Sequence, residues 1–176
     1  IQNPLAVTER TCQTCHRGSK ETLCKNVYER QRKANELRVL LEKELTKAHI
    51  EAKFAWDRGA TENEMKEVLL LIRRAQWRWD FGVASHGGSF HAPQETMRIL
   101  GHGLNKAFQA RMAISKILVS HGYMGNVPLP DISTKEKAQQ YIGLDMAAER
   151  AAKDKFLKEV VPEWLRKAKA NGRIVD

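Results

Sequence analysis

The stretch Ala34-Asn35-Glu36-Leu37-Arg38-Val39-Leu40-Leu41-Glu42-Lys43-Glu44-Leu45 decides how the rest of the chain is read. Its seam of Ala34, Leu37, Leu41 and Leu45 steps by threes and fours and continues through Ala48, Ala52 and Ala55. That spacing lines one stripe of a helix with apolar groups and leaves the other faces to charged ones, as in a helix packed on another helix. It predicts a helix over residues 19–57, stopped by Gly59. Next, Thr61-Glu62-Asn63-Glu64 has the spacing of a capping box, whose hydroxyl and carboxylate satisfy free N–H groups at a helix start. The helix it opens carries Met65, Val68, Ile72, Ala75, Trp79 and Val83 on one face and ends near Gly87-Gly88. Pro93 suits the first turn of a third helix, with Met97, Leu100, Leu104, Phe108, Met112 and Ile117 as its expected apolar face and Gly122 as its stop. Gly101 and Gly103 should weaken it locally. The segment 125–131, rich in Gly and Pro, reads as the clearest non-helical connection. Ser133-Thr134-Lys135-Glu136 reads as a second capping box, opening a short helix to about Tyr141. Past Gly143 a long helix follows to about Ala170, with Pro162 as a kink point. No alternating strand pattern of useful length interrupts the series, so the expected fold class is all-α, built from long antiparallel helices.

The net charge of +9 suggests nucleic acid at first sight. The cations, however, are interleaved with acids at helical spacing, as in Glu29 with Lys33, Glu149 with Lys153 and Asp154 with Lys158. That is the pattern of a solvated helix face, and no basic block alternates with aromatics to form a stacking groove. Nucleic acid is therefore not expected as a partner, although a positive field can steer an anion or an acidic redox partner. The best apolar run, Val68-Leu69-Leu70-Leu71-Ile72, ends at Arg73-Arg74, far short of a transmembrane span. The sequence opens on Ile1 with no basic stretch followed by an apolar one, so no targeting segment is expected within it.

Cys12-Gln13-Thr14-Cys15-His16 carries the chemistry. Two thiols three residues apart on one turn can each form a thioether to a vinyl group of haem, and the adjacent imidazole then meets the iron from the same side. This is the attachment signature of c-type haem. The rival readings are weaker. A structural zinc site wants a second ligand pair, but the remaining thiol, Cys24, stands alone, and Glu21 rules out a second haem motif ending at Lys25. A thioredoxin-like dithiol belongs in a βαβ setting, which the pattern lacks. Cys24 is read as a small packed hydrophobe. The second axial ligand decides the iron's character, since a Met raises the potential and a second His gives a lower-potential carrier. Of the other histidines, His49 lies on a long helix, His102 among glycines and His121 at a helix end, places that explain them without a metal. His86 and His91 flank Gly87-Gly88 at a break between helices, where an imidazole can be presented to a flat ring, and spacing alone leaves both open. Arg73, Arg74 and Arg78 suit either haem propionates or a solvated face.

The motif at Cys12–His16, the segment Ala75-Gln76-Trp77-Arg78-Trp79-Asp80, then Ala84-Ser85-His86-Gly87 with His91-Ala92-Pro93, and finally the run from Pro130 to Gln140 resemble the C-terminal region of the pentahaem, ammonia-forming cytochrome c nitrite reductases, over nearly the whole chain. The resemblance implies a periplasmic enzyme that reduces nitrite to ammonium with six electrons. It implies five haems and calcium in the whole enzyme, the calcium and the catalytic haem lying upstream of this chain. Residues 1–18 would then be a lead-in with the last attachment motif, and residues 19–176 a long-helix region for haem packing and homodimer formation, within one larger multihaem domain. Cys12 and Cys15 would hold a relay haem through thioethers and His16 would be its proximal ligand. His91 would be the distal ligand of a neighbouring haem, with His86 as the fallback. No catalytic residue falls in this chain, which would be roughly the last third of the enzyme. A membrane or soluble multihaem cytochrome would be the electron donor. The alternative is a free-standing helical monohaem electron-transfer cytochrome that completes its own iron with a Met or His.

Overall fold

The computed structural model describes residues 3–174; the reading of the chain start at Ile1 lies outside the described residues. Among these, the order is a 3-10 helix at Pro4–Arg10, then α1 (Lys20–Asp57), α2 (Glu62–Ala84), α3 (Gly88–His91), α4 (Pro93–Ser120), α5 (Lys135–Tyr141) and α6 (Met146–Ala170), with no strand. The fold is all-α. The chain forms two compact units, residues 1–127 and residues 128–176, and the division falls in the Gly- and Pro-rich connection.

Local chemistry sets the helix ends. Ser19 caps α1, its hydroxyl accepting from the Thr22 N–H. Gly59 takes φ of 91°, a left-handed conformation that costs a glycine little, and lets Ala60 N–H donate back to Ala55 at 3.0 Å, closing the helix. The capping box forms as expected: Thr61 N–H donates to Glu64 at 2.7 Å and Glu64 N–H to the Thr61 hydroxyl at 3.3 Å. The lead-in differs from expectation. Asn3 accepts from Leu5 N–H and Pro4 fills the first turn, so an irregular segment becomes a 3-10 helix.

Side-chain contacts give the helix directions in the first unit. Trp79 donates to Glu42 at 3.3 Å and His121 meets Glu64 at 3.2 Å, so α2 runs antiparallel to both α1 and α4. Arg30 donates to the Phe90 carbonyl and Arg111 pairs with Glu51, so α1 and α4 run parallel and pack directly on one another. The α1 seam is the buried one: Ala34, Leu41, Leu45, Ala48, Ala52 and Ala55. It meets Met65, Val68, Leu71, Ile72 and Ala75 of α2. The expected apolar face of α4 is corrected. Leu100 is buried as expected and Leu104 and Ile117 pack against the core, but Met112 and Phe108 are exposed, and the buried stripe is Thr96, Leu100, Gly103, Ala107, Ala110, Ile114 and Leu118. Small residues win here because the helices approach closely: a Cβ on Gly103 would stand 2.7 Å from Leu41 Cδ2 and 3.1 Å from Arg78 Cβ. One charged cluster lies within this packing. Arg111 donates to both carboxylate oxygens of Glu51, which is 8% exposed, and also pairs with Glu44. The pairing satisfies a nearly buried acid that would otherwise be costly.

In the second unit the cap is displaced by one residue from the expected capping box. Thr134, not Ser133, caps α5 by accepting from Lys137 N–H, while Ser133 belongs to the preceding turn, its N–H donating to the Asp131 carboxylate at 3.0 Å. Asp145 caps α6 by accepting from Ala147 and Ala148. Helix α6 continues through Pro162. On its surface Glu163 pairs with Arg166 and Lys167, and Phe156 meets Trp164 edge-on at 5.3 Å.

Candidate haem site

The sequence from Cys12 to His16 forms one tight turn between the 3-10 helix and α1. Cys15 N–H and His16 N–H both donate to the Cys12 carbonyl, at 3.2 and 2.9 Å. Bonds to residues three and four positions back are those of a helical turn, so Cys12, Cys15 and His16 share one side of it. All three cysteines are free thiols; Cys12 is half-buried while Cys15 and His16 are exposed. Neighbouring hydroxyls line the turn, with Thr11 Oγ1 at 3.6 Å from Cys12 Sγ and Thr14 donating to Cys15 Sγ at 3.8 Å.

The turn is held from both sides. On the entry side Thr8 is fully buried, its hydroxyl donates to Leu5 at 2.9 Å, and its carbonyl accepts from Thr11 and Gln13 at 3.3 and 3.0 Å. The Thr11 hydroxyl donates to the Pro4 and Val7 carbonyls. On the exit side the Gln13 side chain donates to the Gly18 carbonyl at 3.0 Å. None of Thr8, Thr11 or Gln13 stands out by type. The available signal was the three-residue spacing of Thr8, Thr11 and Thr14, of which Thr8 lies in the 3-10 helix, Thr11 at its end and Thr14 in the turn beyond. Cys24 is half-buried and lies 4.0 Å from the Thr8 hydroxyl, on the wall behind the turn.

These residues fit a haem c. The side chains of Cys12, Cys15 and His16 stand on one side of a turn whose backbone bonds are satisfied internally, and the exposure of Cys15 and His16 leaves room for a flat group against them. Zinc finds no such support, because among the described residues no group of three or more His, Cys, Asp or Glu could hold a metal ion.

His86 and His91 lie elsewhere. Both are exposed, on either side of the α3 turn, and among the described residues neither ring makes a hydrogen bond. The His91 ring packs at a tilt of 48° against Phe90, centroids 4.5 Å apart. The turn is pinned to α1 by Arg30, which donates to the Phe90 carbonyl at 3.0 Å. Arg30 sits ten positions beyond Lys20, roughly 15 Å along the helix from the end where the haem motif enters. His86 borders a 500 Å³ cleft with Asn35, Arg38 and Trp79. Arg78 donates to the Arg74 carbonyl of its own helix.

A helical protein carrying this turn is a c-type cytochrome. The chain matches the family described as Cytochrome c552 over residues 1–172, and it belongs to that family. It is 75% identical over 174 residues to the cytochrome c-552 of Bacteroides thetaiotaomicron, covering 99% of this chain and 35% of that one. It is 64% identical to that of Porphyromonas gingivalis over 99% of this chain and 35% of the other, and 47% identical to one from Haemophilus influenzae over its full length and 33% of the other. The chain thus spans about a third of the length of the curated relatives it matches. Family membership implies haem c.

The nitrite reductase reading is corrected by these matches, which name a cytochrome and no nitrite reductase. The enzyme, the nitrite substrate, the multihaem donor and the homodimer that the resemblance implied rested on that reading and are not carried further. The segments that carried the resemblance have other work. Ala75 is core, Trp79 bonds α1, and Asp131 and Thr134 build a turn and a cap, none of which specifies nitrite chemistry. The matches also give no basis for five haems or for calcium. No described helix is long and apolar enough to cross a membrane.

Proposed function

We propose that this chain serves electron transfer through a haem c joined by thioethers to Cys12 and Cys15, with His16 as the proximal ligand of the iron. The single observation that carries the reading is the Cys12–His16 turn, where two free thiols and an imidazole share one side of a satisfied backbone. The haem, when bound, supplies a one-electron couple. The chain's own residues attach it, orient the imidazole and leave one side of the site open to electron exchange. The excess of positive charge favours an acidic redox partner.

His91, with His86 as the alternative, is the exposed imidazole available for axial ligation of an iron other than the one held at His16, because the α3 turn is pinned to α1 well away from the motif. A periplasmic location goes with this reading, and cell fractionation tests it. The functional test is a pyridine haemochrome assay followed by a spectroelectrochemical titration of the purified protein. The expected result is a thioether-type haem that cycles reversibly by one electron. A colourless protein, or a haem removed by acid extraction, contradicts the proposal.

A further inference from the structure

Resting on the haem reading, we propose that Gln13 is a positioning residue for His16, tying the two ends of the attachment turn together through its side-chain bond to Gly18. The attachment chemistry needs only the thiols and the imidazole, so the two residues between the cysteines are free to do something else. Gln13 is bonded at both ends. Its backbone N–H donates to the carbonyl of Thr8, which is 0% exposed, and its side-chain amide reaches over Thr14, Cys15, His16 and Arg17 to donate to the Gly18 carbonyl at 3.0 Å. Gly18 immediately precedes Ser19, the residue whose hydroxyl caps α1. His16 therefore lies inside a ring closed by Gln13, between a buried anchor in the 3-10 helix and the start of the longest helix in the chain.

His16 has little else to hold it. Its N–H bonds to the Cys12 carbonyl, its ring is exposed, and the chain leaves it through Arg17 and a glycine. Opening the ring at Gln13 frees Arg17 and Gly18, and with them the direction of the imidazole. Groups outside the ligand set that fix a histidine's orientation tune the metal it holds, and the axial imidazole is one of the levers on haem potential. Gln13 itself is exposed, so replacing it removes a bond without opening the core.

The experiment compares wild type with Gln13→Met, which keeps length and loses the donor, and Gln13→Lys, which keeps a donor able to reach Gly18. Each protein, purified whole with haem attached, is read for covalent haem, for the EPR signal of the oxidised iron and for midpoint potential. The Met variant is expected to keep its thioethers while its EPR signal broadens and its potential shifts, with the Lys variant returning both towards wild type. Loss of haem in the Met variant with recovery in the Lys variant supports the same role. A Met variant indistinguishable from wild type overturns the proposal, as does a Lys variant displaced as far as the Met variant. Absence of covalent haem from the wild type overturns the haem reading and this proposal together, which separates the two failures.

Discussion

His16 gives its backbone N–H to Cys12 and leaves its ring exposed, so the imidazole is available as a ligand from the same turn that presents the thiols. Replacing it with alanine should leave both thioethers intact and remove the ligand on the attachment side, moving the absorption and EPR signals of that iron towards high spin. An unchanged low-spin signal in His16→Ala would show that the ligand lies elsewhere. At this scale the candidate site was legible because the motif is local: five consecutive residues supply both the thiols and the imidazole. Thr8 and Gln13 were not, since their importance depends on a 3-10 helix that threonines at threes signal only faintly. The roles of His86 and His91 rest on where α3 is pinned, through an Arg30 contact spanning sixty positions, and no local pattern carries that.

Helix identity and limits were readable from capping chemistry and period, but the inward face of α4 was not. Large apolar residues were the obvious choice there, whereas the helix buries Gly103, Ala107 and Ala110 between Leu100 and Ile114 and leaves Phe108 and Met112 outside. Gly103 explains why, because its missing Cβ is what lets Leu41 and Arg78 pack against it, while Gly101 has nothing within 4 Å of where a Cβ would stand. The two glycines should respond oppositely. Gly101→Ala should stabilise by about 0.5–1 kcal/mol through helix propensity. Gly103→Ala should destabilise by about 1–2 kcal/mol, overpacking of about 1–3 kcal/mol exceeding the same gain. Chemical denaturation of the pair decides, and equal effects would mean that the helices do not approach as described. In the second unit, Asp131 is held down to about 2 by the Lys137 side chain first and then by the Ser133 bonds. A lowered carboxylate contributes its stabilisation above its ordinary pKa of about 4 and loses it as pH falls through the folded value. The turn at residues 131–137 should therefore persist at about pH 3 and open only as pH approaches about 2. The Ser133 amide resonance reports it. Opening already near pH 4 would show that the Lys137 contact is not made in solution.

At the scale of the molecule, an α1–α2–α4 bundle is preceded by the Cys12–His16 turn, and Ser19, three residues beyond His16, caps the longest described helix. The all-α class followed from the seams and caps, and the cofactor followed from the motif. The specific enzyme did not, because the resemblance was carried by segments that attach haem, pack helices and cap them, and such segments fix a cytochrome architecture without fixing a substrate. Membership in the cytochrome c552 family rests on a match over residues 1–172 of the chain, which includes the turn at Cys12–His16. The most direct test of the account is peptide mass spectrometry on the purified protein with haem staining of the same sample. The account predicts that the peptide containing Cys12 to His16 carries one haem through two thioethers, with Cys24 left as a free thiol. Unmodified Cys12 and Cys15 in a colourless protein would contradict it.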